Sequence, residues 1–516
     1  MPRAGANACE DILRAHESGG ASASASFYDG ESVRSGVDFA RAVARCRRAI
    51  AARVGAEAAV RVAVGCETSE AYLVAFVACA SAGWTSGGLN SRWSAREAAA
   101  AAKACGARAV VLDDAHAARW GQDAFESFAV VIRAEDFARE RTEAEDGGGW
   151  EASATPADGA CAYCFTSGTT GTPKAAILTH EGVLAATRAK IETVRYSKED
   201  VYMHCAPLYH VGGLSSAHAT LSVGASHVFI RKFDAEEALG LISRRGVTAF
   251  IAVPTMMSMF VEKAGGRTFP TVSKILVGAG RLRDGQLGEI RLAFPNAKVT
   301  MAYGMSETTS SVTFLSSEDE RLAMDPMFAG NAVRDVEVKT DADGQILVRG
   351  PIVMLGYHGV ERTRTFDADG WFATGDLGKV AEAEDAALET GPRVWLYGRS
   401  KDMIKSGGEN VSPEEVERVI NAHENVETSV VVGVPHKKWG EVVVAVVKPR
   451  QLFVSSADVA RESILEHCAK SHLARFKIPK YFVFVEDVPV NAMGKISRSA
   501  IYDAHRTAIE EAVKNH

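Results

Sequence analysis

The sequence predicts an α/β protein: a large N-terminal domain of stacked α/β sheets with a small β subdomain, then a small α+β C-terminal domain. Three observations carry this. From Val37 to Leu112, helical stretches (Val37 to Ala52, Ser69 to Ala82, Ser94 to Cys105) alternate with β-branched runs at Val60 to Val64 and Ala109 to Leu112, which is the alternation of βαβ units. The same grammar returns with apolar runs at His227 to Ile230, Ala249 to Val253 and Lys274 to Val277, so a second parallel-type sheet is expected. From about Asn331 to Gly398 the pattern turns to short strands separated by Asp343-Gly344 and Asp369-Gly370 turns, which reads as a small β subdomain.

The tail after Asp402 has its own start signal. Ser412-Pro413-Glu414-Glu415 supplies a cap serine, a first-turn proline and a glutamate three residues on, so a helix begins there. Strands at Val430 to Val434 and Val442 to Val447, a helix around Asp458 to Ala469 and a strand at Tyr481 to Val485 follow. That is a separate α+β unit.

Composition narrows the function. The 516 residues suit about three domain-sized units. A net charge of −7 without a basic stripe argues against nucleic acid as a partner. Nine cysteines are scattered without secreted-domain spacing, which favours a reducing compartment. Cys161-x-x-Cys164 lacks a second pair at zinc-binding spacing and is expected to pack within a strand. No apolar run reaches the roughly 20 residues of a membrane span, so a soluble intracellular protein is expected, with chloroplast, cytosol and peroxisome left open. Glu10, Asp11 and Glu17 weigh against a leader peptide. Lys514-Asn515-His516 is not the common peroxisomal tripeptide.

One stretch asks for a polyanion. Thr166-Ser167-Gly168-Thr169-Thr170-Gly171-Thr172-Pro173-Lys174 packs five hydroxyls, two glycines and one lysine into nine residues. Glycines bring backbone N–H groups close to an anion, hydroxyls donate to phosphoryl oxygens, and the lysine adds a mobile charge. It is not a Walker A loop, which needs Gly-Lys before Ser or Thr at a helix start. Ala160 to Phe165 before it and Ala175 to Leu178 after it read as strands, so the loop is a strand-turn-strand element.

Further segments combine glycine with acid or base. These are Pro207-Leu208-Tyr209-His210-Val211-Gly212-Gly213, Gly278-Ala279-Gly280, Ala302-Tyr303-Gly304-Met305-Ser306-Glu307-Thr308, a turn Gly370-Trp371-Phe372-Ala373-Thr374-Gly375-Asp376, and Asn491-Ala492-Met493-Gly494-Lys495-Ile496-Ser497-Arg498. Alone, each reads as a turn, a core histidine or a solvated charge. In this order, over Val37 to Arg498, they resemble the AMP-forming acyl-CoA synthetase, firefly luciferase and adenylation-domain superfamily.

The resemblance implies residues 1–398 as the AMP- and acyl-binding domain, a hinge at 399–402 with Asp402 at its pivot, and 403–516 as a mobile C-terminal domain. It implies ATP, Mg²⁺ and coenzyme A as cosubstrates and cofactor, and a small carboxylic acid as substrate. The 166–174 loop would hold the β- and γ-phosphates, Glu307 the Mg²⁺, and Thr308 the α-phosphate. Tyr303 and Gly304 would lie at the adenine with Gly278, Ala279 and Gly280. Asp376 and Arg399 would bind the ribose. Lys495 would bridge the substrate carboxylate and α-phosphate, Gly407 and Gly408 would line the CoA channel, and His210 would gate or orient. Two departures bear on loop geometry: Ala175 stands where the superfamily usually has glycine, and Gly278-Ala279-Gly280 replaces the commoner Gly-Gly-Ala.

No carrier-protein segment is expected after Lys495, which favours a freestanding ligase using CoA. The stretch His210 to Leu221 has no acid for an amino-acid ammonium but offers Ser215, Ser216 and His218 as acyl-pocket candidates. With Lys232 to Ala235, Val253 to Met257 and Phe476 to Lys480, it is similar to plant and algal 2-succinylbenzoate–CoA ligases of phylloquinone synthesis. Medium- or long-chain fatty acyl-CoA and 4-coumarate-type ligases are the alternatives, and a non-catalytic acyl- or nucleotide-binding relative is the alternative of another class.

Overall fold

The structure, a computed structural model, describes residues 7–16, 25–54, 60–121, 123–125, 128, 130–134, 159–166, 174–319, 325, 327–382, 391–450, 457–471, 473–489 and 497–514. Three sheets organise them. The first has six strands in the order Val130–Arg133, Ala109–Leu112, Arg61–Gly65, Thr85–Gly88, Ala160–Thr166, Lys174–Thr179. Its neighbours are parallel until the last pair, a hairpin. Cys161 and Cys164 are buried inside that hairpin's first strand, packed as expected.

The second sheet has thirteen strands. Its centre is parallel, running Ser26–Asp29, Ser226–Phe229, Val201–His204, Ala249–Ala252, Lys274–Val277 and Lys298–Tyr303. The β-rich stretch expected from Asn331 to Gly398 does not form a sheet of its own. Antiparallel strands Thr313–Ser316 and Phe328–Ala332 extend the parallel edge, and Arg393–Arg399, Phe372–Ala381, Gln345–Arg349 and Glu337–Thr340 continue from them. The physical reason is an open edge: an antiparallel strand closing a parallel sheet still offers unpaired N–H and C=O groups on its far side.

Helices Glu70–Ser81 and Val211–Val223 are buried nearly all round. A helix without a polar face belongs between layers. Residues from both share one apolar core with Val62 and Leu178 of the first sheet and Phe229 of the second, so these helices are the filling of the sandwich.

Strand Arg393–Arg399 ends the large sheet, Ser400–Asp402 makes one 3₁₀ turn, and Ile404–Ser406 opens the third sheet. There the hairpin Val426–His436 with Gly440–Pro449 carries an unbroken valine-rich core, with Tyr481–Phe484 parallel beside it. Helix Pro413–Asn421 starts as its sequence requires, with Ser412 Oγ accepting from the Glu415 N–H at 3.3 Å.

Candidate active site

The strand Lys298–Tyr303 delivers its last residue to the second sheet's edge, where the chain turns through Gly304 into the 3₁₀ turn Ser306–Thr308. Gly304 is required there, because a Cβ would collide with the Ser310 carbonyl carbon and the Ser311 nitrogen. Thr308 is fully buried and its Oγ1 accepts from the Met305 N–H at 3.0 Å, which fixes the turn.

Around Tyr303 the expected nucleotide residues converge. The Tyr303 hydroxyl donates to Asp376 Oδ2 at 2.9 Å, and Arg399 Nε lies 2.9 Å from Asp376 Oδ1. Asp376 and Arg399 are direct cross-strand partners. Asp376 was expected in a turn. It stands inside the strand Phe372–Ala381, after Gly375 at φ 77 and just before a shift in register at Leu377 and Gly378. The glycines mark an irregular strand rather than a chain reversal.

Glu307 faces the first sheet's hairpin. Tyr357 donates its hydroxyl to Glu307 Oε1 at 2.6 Å, and Lys174 Nζ lies 5.2 Å from the Tyr357 ring centre. Thr166 and Lys174 are paired across the hairpin, which confirms the strand-turn-strand reading of its two arms. Ser167, Gly168, Thr169, Thr170 and Gly171 lie outside the described residues, as does Lys495. Among the described residues, no hydrogen bond engages Glu307 Oε2, which leaves that oxygen for a metal. That suits Mg²⁺, which takes one or two carboxylates and completes its shell with phosphate oxygens and water.

Gly278, Ala279 and Gly280 follow strand Lys274–Val277, and Ala279 takes φ 62, the left-handed region that glycine occupies without strain. His210 is the N-cap residue of helix Val211–Val223, with its ring 4.5 Å from that of Tyr209. Its buried Nε2 has no hydrogen-bond partner among the described residues. Burial first, then the nearby Arg92, holds its pKa down to about 4, so the imidazole is neutral at pH 7.

The acyl-pocket candidates separate. Ser215 lines a narrow apolar cavity with Val183, Val211, Leu214 and Thr309, and its hydroxyl is 2.8 Å from Ser310 Oγ. His218 reaches the same cavity, but both ring nitrogens are engaged, Nδ1 with Thr187 Oγ1 at 2.7 Å and Nε2 with the Ala8 carbonyl at 2.8 Å. That makes it a satisfied core histidine. Ser216 is fully buried and does not line the cavity. Gly407 and Gly408 form a tight turn at φ 65 and 90 between Ile404–Ser406 and Glu409–Val411.

Sequence reasoning missed Lys190 and Arg498. Lys190 is buried and donates to Ser310 and Ser311. Arg498 binds Asp402, Glu414 and Glu417 together, at 3.2, 2.9 and 2.8 Å. A lysine directly after the alanine-rich stretch Val183–Ala189 was the one available signal for the first.

Comparison with known proteins identifies the family. The AMP-binding enzyme family matches residues 16–358, and the AMP-binding enzyme C-terminal domain matches 415–495. The chain is 38% identical to the chloroplastic/peroxisomal 2-succinylbenzoate–CoA ligase of Arabidopsis thaliana, covering 67% of each. It superposes on ATP-bound MatB from Rhodopseudomonas palustris with TM-score 0.82 and 27% identity over 98% of this chain and 100% of that one. It also superposes on o-succinylbenzoate CoA synthetase from Bacillus subtilis, solved with the acyl-adenylate OSB-AMP, with TM-score 0.79 and 26% identity over 95% and 97%. The same Bacillus protein has been solved with ATP and magnesium ion.

Proposed function

The chain belongs to the AMP-binding enzyme family, and from that premise we propose that it is an ATP-dependent 2-succinylbenzoate–CoA ligase of phylloquinone or menaquinone synthesis. The observation that carries the reaction class is the convergence of Tyr303, Asp376 and Arg399 beside the Glu307–Thr308 turn and the 166–174 hairpin. The likeness to the plant ligase supports the substrate.

The chemistry follows from the poor reactivity of a carboxylate. Its oxygen attacks the α-phosphorus of ATP, pyrophosphate leaves, and an acyl-adenylate forms. The CoA thiol then attacks the acyl carbon, loses its proton, and AMP leaves with the carboxylate's oxygen. Asp376 accepts from the ribose hydroxyls while keeping Tyr303 and Arg399, since an ionised carboxylate has about four acceptor positions. Tyr303 offers a stacking face to adenine, with Gly278, Ala279 and Gly280 close by. Glu307 and the phosphates would hold Mg²⁺, which supplies charge neutralisation at the triphosphate when bound. Thr308 and Lys495 serve the α-phosphate, where negative charge accumulates and positioned donors count most. Neutral His210 orients the acyl group by hydrogen bonding rather than by charge. Residues 1–398 form the N-terminal domain, 399–402 the hinge and 403–516 the C-terminal domain, whose Gly407 and Gly408 flank the thiol's path. Nine buried free thiols support a reducing intracellular compartment, and no described helix is long and apolar enough to cross a membrane.

Incubation of the enzyme with ATP, Mg²⁺, CoA and 2-succinylbenzoate tests the reading. AMP, pyrophosphate and the CoA thioester are expected in equal amounts, and ADP with inorganic phosphate would contradict it.

A further inference from the structure

2-Succinylbenzoate carries a second carboxylate that does not react, and a desolvated carboxylate needs a counter-charge or several donors. The local sequence offers serines and histidines for this. The structure removes the histidines as cations: burial holds His210 and His218 neutral, each down to about 4. Behind Ser215 lies a different group.

Lys190 is the one fully buried lysine or arginine among the described residues. Its Nζ donates to Ser311 Oγ at 2.7 Å and Ser310 Oγ at 3.0 Å and lies 5.8 Å from the Phe314 ring centre. No carboxylate pairs with it among the described residues. A buried ammonium facing only neutral acceptors is unfavourable unless a counter-ion arrives. Desolvation accordingly holds its pKa down to about 7, so the empty enzyme can gain or lose this proton in the physiological range.

The hydroxyls run from Lys190 through Ser310 to Ser215, a residue that borders the apolar cavity. An ammonium has no acceptor, so Ser310 Oγ accepts from it and is left to donate its own proton. Ser310 Oγ meets Ser215 Oγ at 2.8 Å, and Ser215 lines the cavity together with Thr309. Thr309 and Ser310 are both held in the left-handed region, at φ 48 and 60. Two consecutive non-glycine residues there cost about 1–3 kcal/mol each. The strained backbone at Ser310, two residues beyond Thr308, sets its hydroxyl between Lys190 and Ser215, while Thr309 Oγ1 donates to the Ile352 carbonyl at 2.8 Å.

We propose that Lys190, acting through the Ser310 and Ser215 hydroxyls, is the specificity-determining counter-charge for the substrate's non-reacting carboxylate. The inference rests on the 2-succinylbenzoate reading above. The neighbouring titratable group is His218, on the helix packed against Lys190, with His180 beyond it. Both are neutral above pH 5 by the same burial, so the lysine is the group that changes charge near neutrality.

The test compares kcat/KM for 2-succinylbenzoate with that for 4-oxo-4-phenylbutanoate, which lacks only the ring carboxylate. The wild type is expected to prefer the diacid. In Lys190→Met the preference falls at least about tenfold, carried by KM of the diacid. Ser310→Ala, which leaves the lysine in place, moves it in the same direction. In the wild type the preference also declines as pH rises from 6 to 8.5, because kcat/KM reports the free enzyme's ionisation, and in Lys190→Met that decline is absent. A folded Lys190→Met enzyme with the wild-type preference, or a wild-type preference that is flat across this range, overturns the inference. A wild type with no preference for the diacid refutes the substrate reading itself.

Discussion

Asp376 shows how a single carboxylate organises a site from two directions, since its two oxygens hold a tyrosine from one strand and an arginine from the next. Asp376→Asn removes the charge that aligns Arg399 and weakens the acceptor offered to ribose. Charge-assisted hydrogen bonds are worth about 1.5–3 kcal/mol, so kcat/KM for ATP should fall about 10- to 150-fold. An unchanged value would remove Asp376 from the nucleotide site. The residue was legible in the sequence as a candidate, but its place in a strand was not, because glycines that irregularise a strand look like glycines of a turn. Ala279 carries the opposite lesson. It differs from glycine by one methyl group, yet at φ 62 an alanine is strained by about 1–2 kcal/mol. Ala279→Gly should therefore raise the denaturation midpoint by an amount worth about 1 kcal/mol, and a lowered midpoint would contradict the strain.

At the scale of elements, the chain changes sheet between Arg399 and Ile404, and the two-step reaction proposed above would pivot there, because it calls Lys495 and then the thiol to the same reaction centre. The turn Ser400–Asp402 joins the sheets, and Arg498 ties Asp402 to Glu414 and Glu417 of the following helix. Proline at 402 would fix φ near −65°. Asp402→Pro should still form acyl-adenylate while blocking thioester release, and Lys495→Ala should do the reverse with pre-formed adenylate. Surviving overall turnover in the proline variant would show that the pivot lies elsewhere. The helix start at Ser412-Pro413 and the strand Lys274–Val277 were readable from local signals alone, since caps and apolar runs act within a few residues. Lys190 was not. Its partners lie 120 and 121 residues away in sequence, and no local pattern announces a contact made by packing.

Over the whole molecule, burial of imidazoles sets the response to acid. His180, His210 and His218 are held down to about 4 and His204 to about 3, with His227 well below the ordinary value, all chiefly by desolvation. In the unfolded chain these groups titrate near 6.5. Between about pH 6.5 and 4 the unfolded state therefore binds more protons, and stability falls as pH falls through that window. Glu70 and Glu417, raised to about 7 by burial, act in the opposite sense but are fewer. The apparent Tm should drop steadily between pH 7 and 5, and a flat or rising Tm would contradict the buried, neutral histidines. The layered α/β architecture was visible in the sequence because alternation of helix and strand is a pattern along the chain. The joining of the β-rich stretch 331–398 to the large sheet depends on an exposed edge and emerges only in three dimensions. The measurement that bears most directly on the account is kcat/KM for pyrophosphate release across 2-succinylbenzoate, octanoate, palmitate and 4-coumarate. A preference for 2-succinylbenzoate of at least about tenfold is expected, from the about 1.5 kcal/mol or more that bonding its second carboxylate contributes, and faster turnover of palmitate or 4-coumarate would contradict it.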